Sequence, residues 1–134
     1  REGNTPLISA AYRGHADFIA LLVRSGADVD AANVDGTTAL FMAAESGEKP
    51  LVDILVTAGA NPNARDADGL TPLMAAARKG SAGAVIALIE ASADLEAQDG
   101  DGWTALRYAT EFDRREAADA LSTKLRQVEV PLEE

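Results

Sequence analysis

The sequence predicts an all-α repeat solenoid, in which helix–turn–helix units followed by a β-hairpin loop stack with a period of 33 residues. Four residue types recur in one register without insertions: Gly3, Gly36, Gly69 and Gly102; Thr5, Thr38, Thr71 and Thr104; Leu7, Leu40, Leu73 and Leu106; and Ala10, Ala43, Ala76 and Ala109. Each unit holds two apolar segments of about nine residues, which are too short to be stable helices alone. Neighbouring units must therefore cover one another's apolar faces.

The first unit shows the order of the predicted elements. Thr5 is placed to cap the first helix, and Pro6 follows at the first helical position, where its missing N–H costs nothing. Gly14 breaks this helix, a second helix starts at about Asp17, and Gly26 ends it because glycine adopts positive φ readily. The polar segment 27–35 forms the loop. The apolar faces consist of Leu7, Ala10 and Ala11 in the first helix and Phe18, Ile19, Leu22 and Val23 in the second.

We expect one domain over residues 1–127 and a short acidic tail over residues 128–134. The units span about residues 2–34, 35–67, 68–100 and 101–127. The second helix of the last unit is largely polar, as a C-terminal capping repeat requires. The first unit has no such polar face, so we expect that further repeats precede residue 1 or that another chain covers this end.

Composition excludes several classes of function. None of the 134 residues is cysteine and one is histidine, so disulfides, thiolate nucleophiles and cysteine–metal sites are excluded. The net charge of -10, from 12 basic and 22 acidic residues, repels nucleic acid. No apolar run approaches the ~18–20 residues of a membrane span. We expect no enzyme activity, no cofactor, no metal and no membrane insertion, and the missing cysteines fit a cytoplasmic protein.

The recurring motifs resemble those of the ankyrin-repeat family. The family's T-P-L-H-x-A signature matches segments 5–10, 38–43, 71–76 and 104–109, and Asp-Gly precedes three of them. Segments 26–28 and 59–61 match the family's G-A-D/N end of the second helix. The signature histidine is replaced in every unit, by Ile8, Phe41, Met74 and Arg107. The resemblance implies four ankyrin repeats over nearly all residues from 2 to about 125.

Two local patterns could be taken for catalytic or metal sites. His15 has Ser9 and Asp17 nearby, but it occupies the family's turn between helices, and a triad needs a base oriented by a third group. Segments 66–69 and 99–102 share Asp-x-Asp-Gly with calcium loops, yet alanine or tyrosine stands where the other ligands should be. Turn formation explains these aspartates better.

The resemblance implies a binding surface, because ankyrin arrays usually hold partners with the hairpin tips and the exposed sides of the first helices, on a concave face. Asp35, Asp68 and Asp101, together with Asp66 and Asp99, would form an acidic rim there, with plain turn chemistry as the alternative. Leu70 and Trp103 are bulky neighbours that we expect to be exposed; Trp103 is either an anchor or a shield over the next hairpin. The candidate partner-binding residues are Tyr12, Arg13, Asp35, Asp68, Leu70, Arg78, Lys79, Asp101, Trp103 and Phe112.

We therefore predict non-covalent binding of a protein or peptide, in which the acidic rim attracts a basic segment. Arg78 and Lys79 either pair with the rim or mark a second, mixed patch. The chain is expected to be a monomer or part of a longer array. One alternative is a regulatory or targeting segment of a larger protein whose catalytic or channel part lies upstream. Another is a self-associating piece whose uncapped end meets its copy.

Overall fold

The computed structural model describes residues 3–129, which form four successive helix pairs and confirm the all-α repeat fold. The first helices of the pairs are α1 (Pro6–Arg13), α3 (Ala39–Ser46), α5 (Pro72–Lys79) and α7 (Ala105–Glu111). The second helices are α2 (Ala16–Arg24), α4 (Lys49–Thr57), α6 (Ala82–Glu90) and α8 (Arg115–Glu129). Helix α8 thus passes the expected start of the tail at residue 128, and residues 130–134 lie outside the described part of the chain.

The recurring threonines and glycines delimit the first helices. Each threonine is an N-cap, and its Oγ1 accepts a hydrogen bond at 3.1–3.3 Å from the backbone N–H three residues later. Gly14, Gly47 and Gly80 end α1, α3 and α5 in the left-handed conformation, with φ between 77° and 89°. Asp113 takes the equivalent place after α7 with φ 57°, although it is not glycine.

The core runs along the whole stack. The first helices contact one another in the order α1, α3, α5 and α7, and the second helices in the order α2, α4, α6 and α8. The alanines of the repeat register are at most 2% exposed, so small side chains fill the space between first helices. The second helices contribute larger residues at the same depth, namely Leu55, Leu88 and Leu121, each 0% exposed. Apolar surface is thus buried within each pair and between neighbouring pairs.

Hairpin loops connect the pairs and contact one another directly. Gly100 N donates to Asp68 O at 2.9 Å, and the preceding loops are linked in the same way. A Cβ on Gly69 would lie 3.0 Å from Gly100 N, and the φ of Gly69 is +85°, so both space and backbone require glycine there. The antiparallel bridge Ala32–Thr38 is the only isolated β-bridge among residues 3–129.

Asparagine or aspartate fixes the turn of each hairpin. Asn33, Asp66 and Asp99 each accept, through Oδ1, the backbone N–H groups two and four residues later at 2.9–3.0 Å. Turn formation therefore accounts for Asp66 and Asp99, as the sequence indicated.

Candidate functional site

The hairpin loops and the exposed sides of the first helices form one continuous surface, here called the hairpin face. Tyr12 is 71% exposed and Phe112 is 47% exposed at the ends of first helices. The other predicted residues that are well exposed are Arg13, Asp35, Asp68, Lys79 and Asp101. All predicted partner-binding residues thus lie within the described part of the chain, but they differ in exposure.

Leu70 and Trp103 are partly buried, so the expectation that both are exposed was wrong. Leu70 packs against the hydrophobic core. The Trp103 ring lies 5.0 Å from that of Tyr108, and the guanidinium carbon of Arg107 is 4.4 Å from its centroid. Side chains of α7 in its own unit therefore cover Trp103, and this could not be seen from its place at a hairpin tip.

Three aromatic side chains of the last pair form an aromatic ladder, Trp103, Tyr108 and Phe112. The Tyr108 and Phe112 rings are 6.3 Å apart with planes inclined by 30°, and the Trp103 and Tyr108 planes are inclined by 53°. Aromatic pairs at such separations attract one another. Tyr108 was missed as a candidate, although its position four residues before Phe112 places both on one helix face.

Tyr108 also ties the ladder to the hairpin turn. Its hydroxyl donates to Asp99 Oδ2 at 2.5 Å, while Asp99 Oδ1 accepts the N–H groups of Asp101 and Trp103. Burial tends to raise the pKa of Asp99, but the Tyr108 hydroxyl and these amides outweigh it and lower the pKa. Burial, followed by the hydrogen bond to Asp99, raises the pKa of Tyr108 to about 12. The hydrogen bond therefore favours the neutral phenol form of Tyr108 and the carboxylate form of Asp99.

Arg78 lies beside the ladder and does not pair with the acidic rim. Its Nη2 is 3.3 Å from Glu45 Oε2, and its guanidinium carbon is 5.8 Å from the Tyr108 ring centroid. Lys79 lies over Gly47, the residue that ends α3 in the preceding pair. A Cβ on Gly47 would come within 2.9 Å of Lys79 Cγ. The two cations therefore belong to a mixed patch between helix pairs and do not pair with the acidic rim.

Asp66 and Asp99 were expected in the acidic rim, but their carboxylates hold the turns. The acidic rim of the structure therefore consists of Asp35, Asp68 and Asp101 at successive hairpin tips. All three are exposed, and among residues 3–129 none of their carboxylates forms an ion pair. Their backbone N–H groups bond to the turn residues two positions earlier, so the turns fix where the tips stand. Three negative charges consequently line one edge of the hairpin face.

Two cavities bring predicted residues together on this face. One, of about 500 Å³, lies between the first two pairs and is lined by Tyr12, Arg13 and Asp35 among others. The second, of about 590 Å³, lies between later hairpins and is lined by Asp68, Leu70, Asp101 and Tyr108 among others. Each cavity thus combines rim carboxylates with bulky side chains.

Other kinds of site find little support in the described residues. Between residues 3 and 129, no three His, Cys, Asp or Glu side chains converge as metal ligands would. His15 is exposed at the start of α2 and makes no capping hydrogen bond there. None of the helices in this range has the length and apolar character needed to cross a bilayer.

The fold defines a helical-repeat protein whose hairpin face is exposed. A family model described as ankyrin repeats (3 copies) matches residues 1–66 and 51–131. The chain belongs to the ankyrin-repeat family, as its motifs indicated. Ankyrin repeats are generally protein–protein interaction modules and are typically non-catalytic. A search of curated proteins gave no match.

Proposed function

We propose that the hairpin face binds a protein segment that carries both basic and apolar side chains. The observation that supports this most directly is that the exposed carboxylates of Asp35, Asp68 and Asp101 form no ion pair within residues 3–129 and stand on the same face as the aromatic ladder. The expected partner is thus a protein or peptide with Lys or Arg close to a bulky apolar residue.

The acidic rim supplies attraction and orientation. The chain has a net charge of -10, so a basic segment is drawn towards it, and the rim concentrates part of that charge at the hairpin tips. Exposed ion pairs are individually weak and screened by salt. The rim therefore contributes mainly to association rate and to the choice of a basic partner.

The aromatic ladder supplies the apolar contact. Aromatic and arginine side chains carry much of the binding energy at protein interfaces. Phe112 is the exposed end of the ladder, while Trp103 and Tyr108 are held by Arg107 and Asp99. Because Trp103 and Tyr108 are already fixed, they lose little conformational entropy when a partner packs on them.

A display library of random peptides, selected against the immobilised chain, tests this proposal. We expect the selected peptides to contain Lys or Arg near an aromatic or aliphatic residue and to bind more weakly at high salt. Replacing the three rim residues by asparagine removes three exposed ion pairs with the peptide, each contributing about 0.5 kcal/mol. The affinity for the peptide should therefore fall roughly tenfold. Phe112→Ala should also weaken binding, but the size of this loss should not change with salt concentration.

The control variant also removes three negative charges, but from the second helices of the pairs. Glu90→Gln, Glu116→Gln and Asp119→Asn alter exposed acids on α6 and α8. If this control lowers peptide affinity as much as the rim variant does, only net charge matters and the assignment of the hairpin face is wrong. Selected peptides without basic residues would contradict the proposed partner.

A further inference from the structure

The front of the first helix pair is an apolar surface that no other part of residues 3–129 covers. Phe18 is 46% exposed, whereas its equivalents in the next three pairs are 0–1% exposed. Leu21 is 49% exposed, whereas its equivalent Ala87 is 6% exposed. We call this surface the front face; it comprises Pro6, Phe18, Leu21, Leu22 and Ala27, each more exposed than its equivalents in the second and third pairs.

The opposite end of the stack differs in chemistry. Arg107 is exposed where Ile8, Phe41 and Met74 are buried in the earlier pairs. Thr110 is likewise exposed where the equivalents are alanines with 0% exposure. Packing the front face of one chain on this end of another would bury Arg107, whose only ion pair within residues 3–129 is the long, exposed one with Glu111 at 3.9 Å. Burying a charge that is so weakly paired costs free energy. Head-to-tail stacking of copies is therefore disfavoured.

The front face is complementary to itself in charge. On α2, Asp17 and Arg24 flank Leu21, and a spacing of seven residues places both on one side of the helix two turns apart. If two α2 helices pack antiparallel around Leu21, each Asp17 faces Arg24 of the second copy. Both side chains are exposed and neither forms an ion pair within the described residues.

We propose that the front face binds the front face of a second copy of this chain, in a dimer with twofold symmetry. The contact buries Phe18 and Leu21 of both copies and forms two Asp17–Arg24 pairs across the axis. A twofold contact of this kind closes on itself and does not extend into a filament. Of the possibilities that the sequence left open, the proposal takes up self-association and not the monomer. It uses α2, which is separate from the hairpin face, so it does not depend on the proposed partner.

Sedimentation equilibrium of the 134-residue chain, from low micromolar to near-millimolar concentration, tests the dimer. We expect the mass to rise from one chain to two and no further. Leu21→Glu should raise the dissociation constant at least tenfold, and Asp17→Arg should also weaken the dimer. The double variant Asp17→Arg, Arg24→Asp should restore it, because the reversed charges pair again across the axis.

The control is Ile86→Glu, which changes an apolar residue that is 42% exposed on α6, away from the front face. It should leave the dissociation constant within twofold of the wild-type value. Circular dichroism confirms that each variant remains helical, which is expected because the substituted side chains are exposed. A single-chain mass at every concentration would overturn the proposal. So would a mass above two chains, equal weakening by Ile86→Glu, or no restoration by the double variant.

Discussion

Replacing Tyr108 by phenylalanine removes the hydroxyl that joins the aromatic ladder to the hairpin turn and keeps the ring. A hydrogen bond to a charged acceptor contributes about 1.5–3 kcal/mol. Tyr108 is partly exposed, and Asp99 keeps its two amide donors on Oδ1, so the lower end applies. We expect the variant to lose about 1.5 kcal/mol of unfolding free energy.

The unfolding free energy lost in Tyr108→Phe should depend on pH, and the directions of the two pKa shifts determine how. The pKa of Tyr108 is raised from 10.0 to about 12, so the stabilisation is complete below pH 10.0 and disappears as pH rises through 12. The pKa of Asp99 is lowered from 3.8, so the stabilisation is complete above that value and disappears as pH falls through the lower folded value. The difference in unfolding free energy between wild type and Tyr108→Phe should be constant from about pH 5 to about pH 9. It should become smaller at lower and at higher pH.

Urea unfolding followed by circular dichroism measures this difference. With a slope of about 1.5 kcal/mol per M, the midpoint should fall by about 1 M. The matched control is Tyr12→Phe, because Tyr12 is 71% exposed and its hydroxyl has no hydrogen bond within residues 3–129. If Tyr108→Phe shifts the midpoint no more than Tyr12→Phe does, the bond to Asp99 contributes nothing and the reasoning fails.

Three further substitutions test the packing and the backbone, each by the same urea unfolding. Ser92→Gly should raise the unfolding free energy by about 1 kcal/mol, because Ser92 has φ 73° where two other pairs have glycine; a loss would show that its backbone is not strained. Gly80→Ala should lower it by about 2 kcal/mol, since φ is +89° and the new Cβ would lie 2.6 Å from Arg114 Cδ; an unchanged midpoint would contradict that close contact. Leu40→Ala should cost about 3 kcal/mol by opening a cavity at a side chain that is 0% exposed, and a loss below about 1 kcal/mol would argue against tight packing there.

The bounds of the helices could be predicted because they depend on local chemistry. A threonine oxygen that caps an N-terminus and a glycine that takes positive φ act on residues within one turn of themselves. Thr5 and Gly14 therefore delimit α1 in the structure as they did in the sequence. The exception, Asp113, shows the same position filled by a residue for which the conformation is costly.

The roles of the hairpin aspartates could be predicted only in part. Asp66 and Asp68 are two residues apart and chemically identical, yet Asp66 holds the turn with its carboxylate while Asp68 exposes its own. The fold of the loop makes this distinction, since it decides which carboxylate meets the backbone N–H groups. In the same way, the cover over Trp103 depends on where Arg107 and Tyr108 point, which the spacing of motifs does not specify.

The small number of aromatic residues becomes informative once each has a place in the structure. The chain has six, and of these only Phe41 is buried, at 6% exposure. Alanine, other aliphatic side chains and Met74 fill the rest of the core, so the stack does not need large rings for its stability. Tyr12, Trp103, Tyr108 and Phe112 lie on the hairpin face, and Phe18 lies on the front face. Exposed apolar ring surface is unfavourable in water. A binding partner that covers such rings therefore gains binding free energy. Their distribution over two separate surfaces therefore supports two independent contacts, one with a partner and one with a second copy.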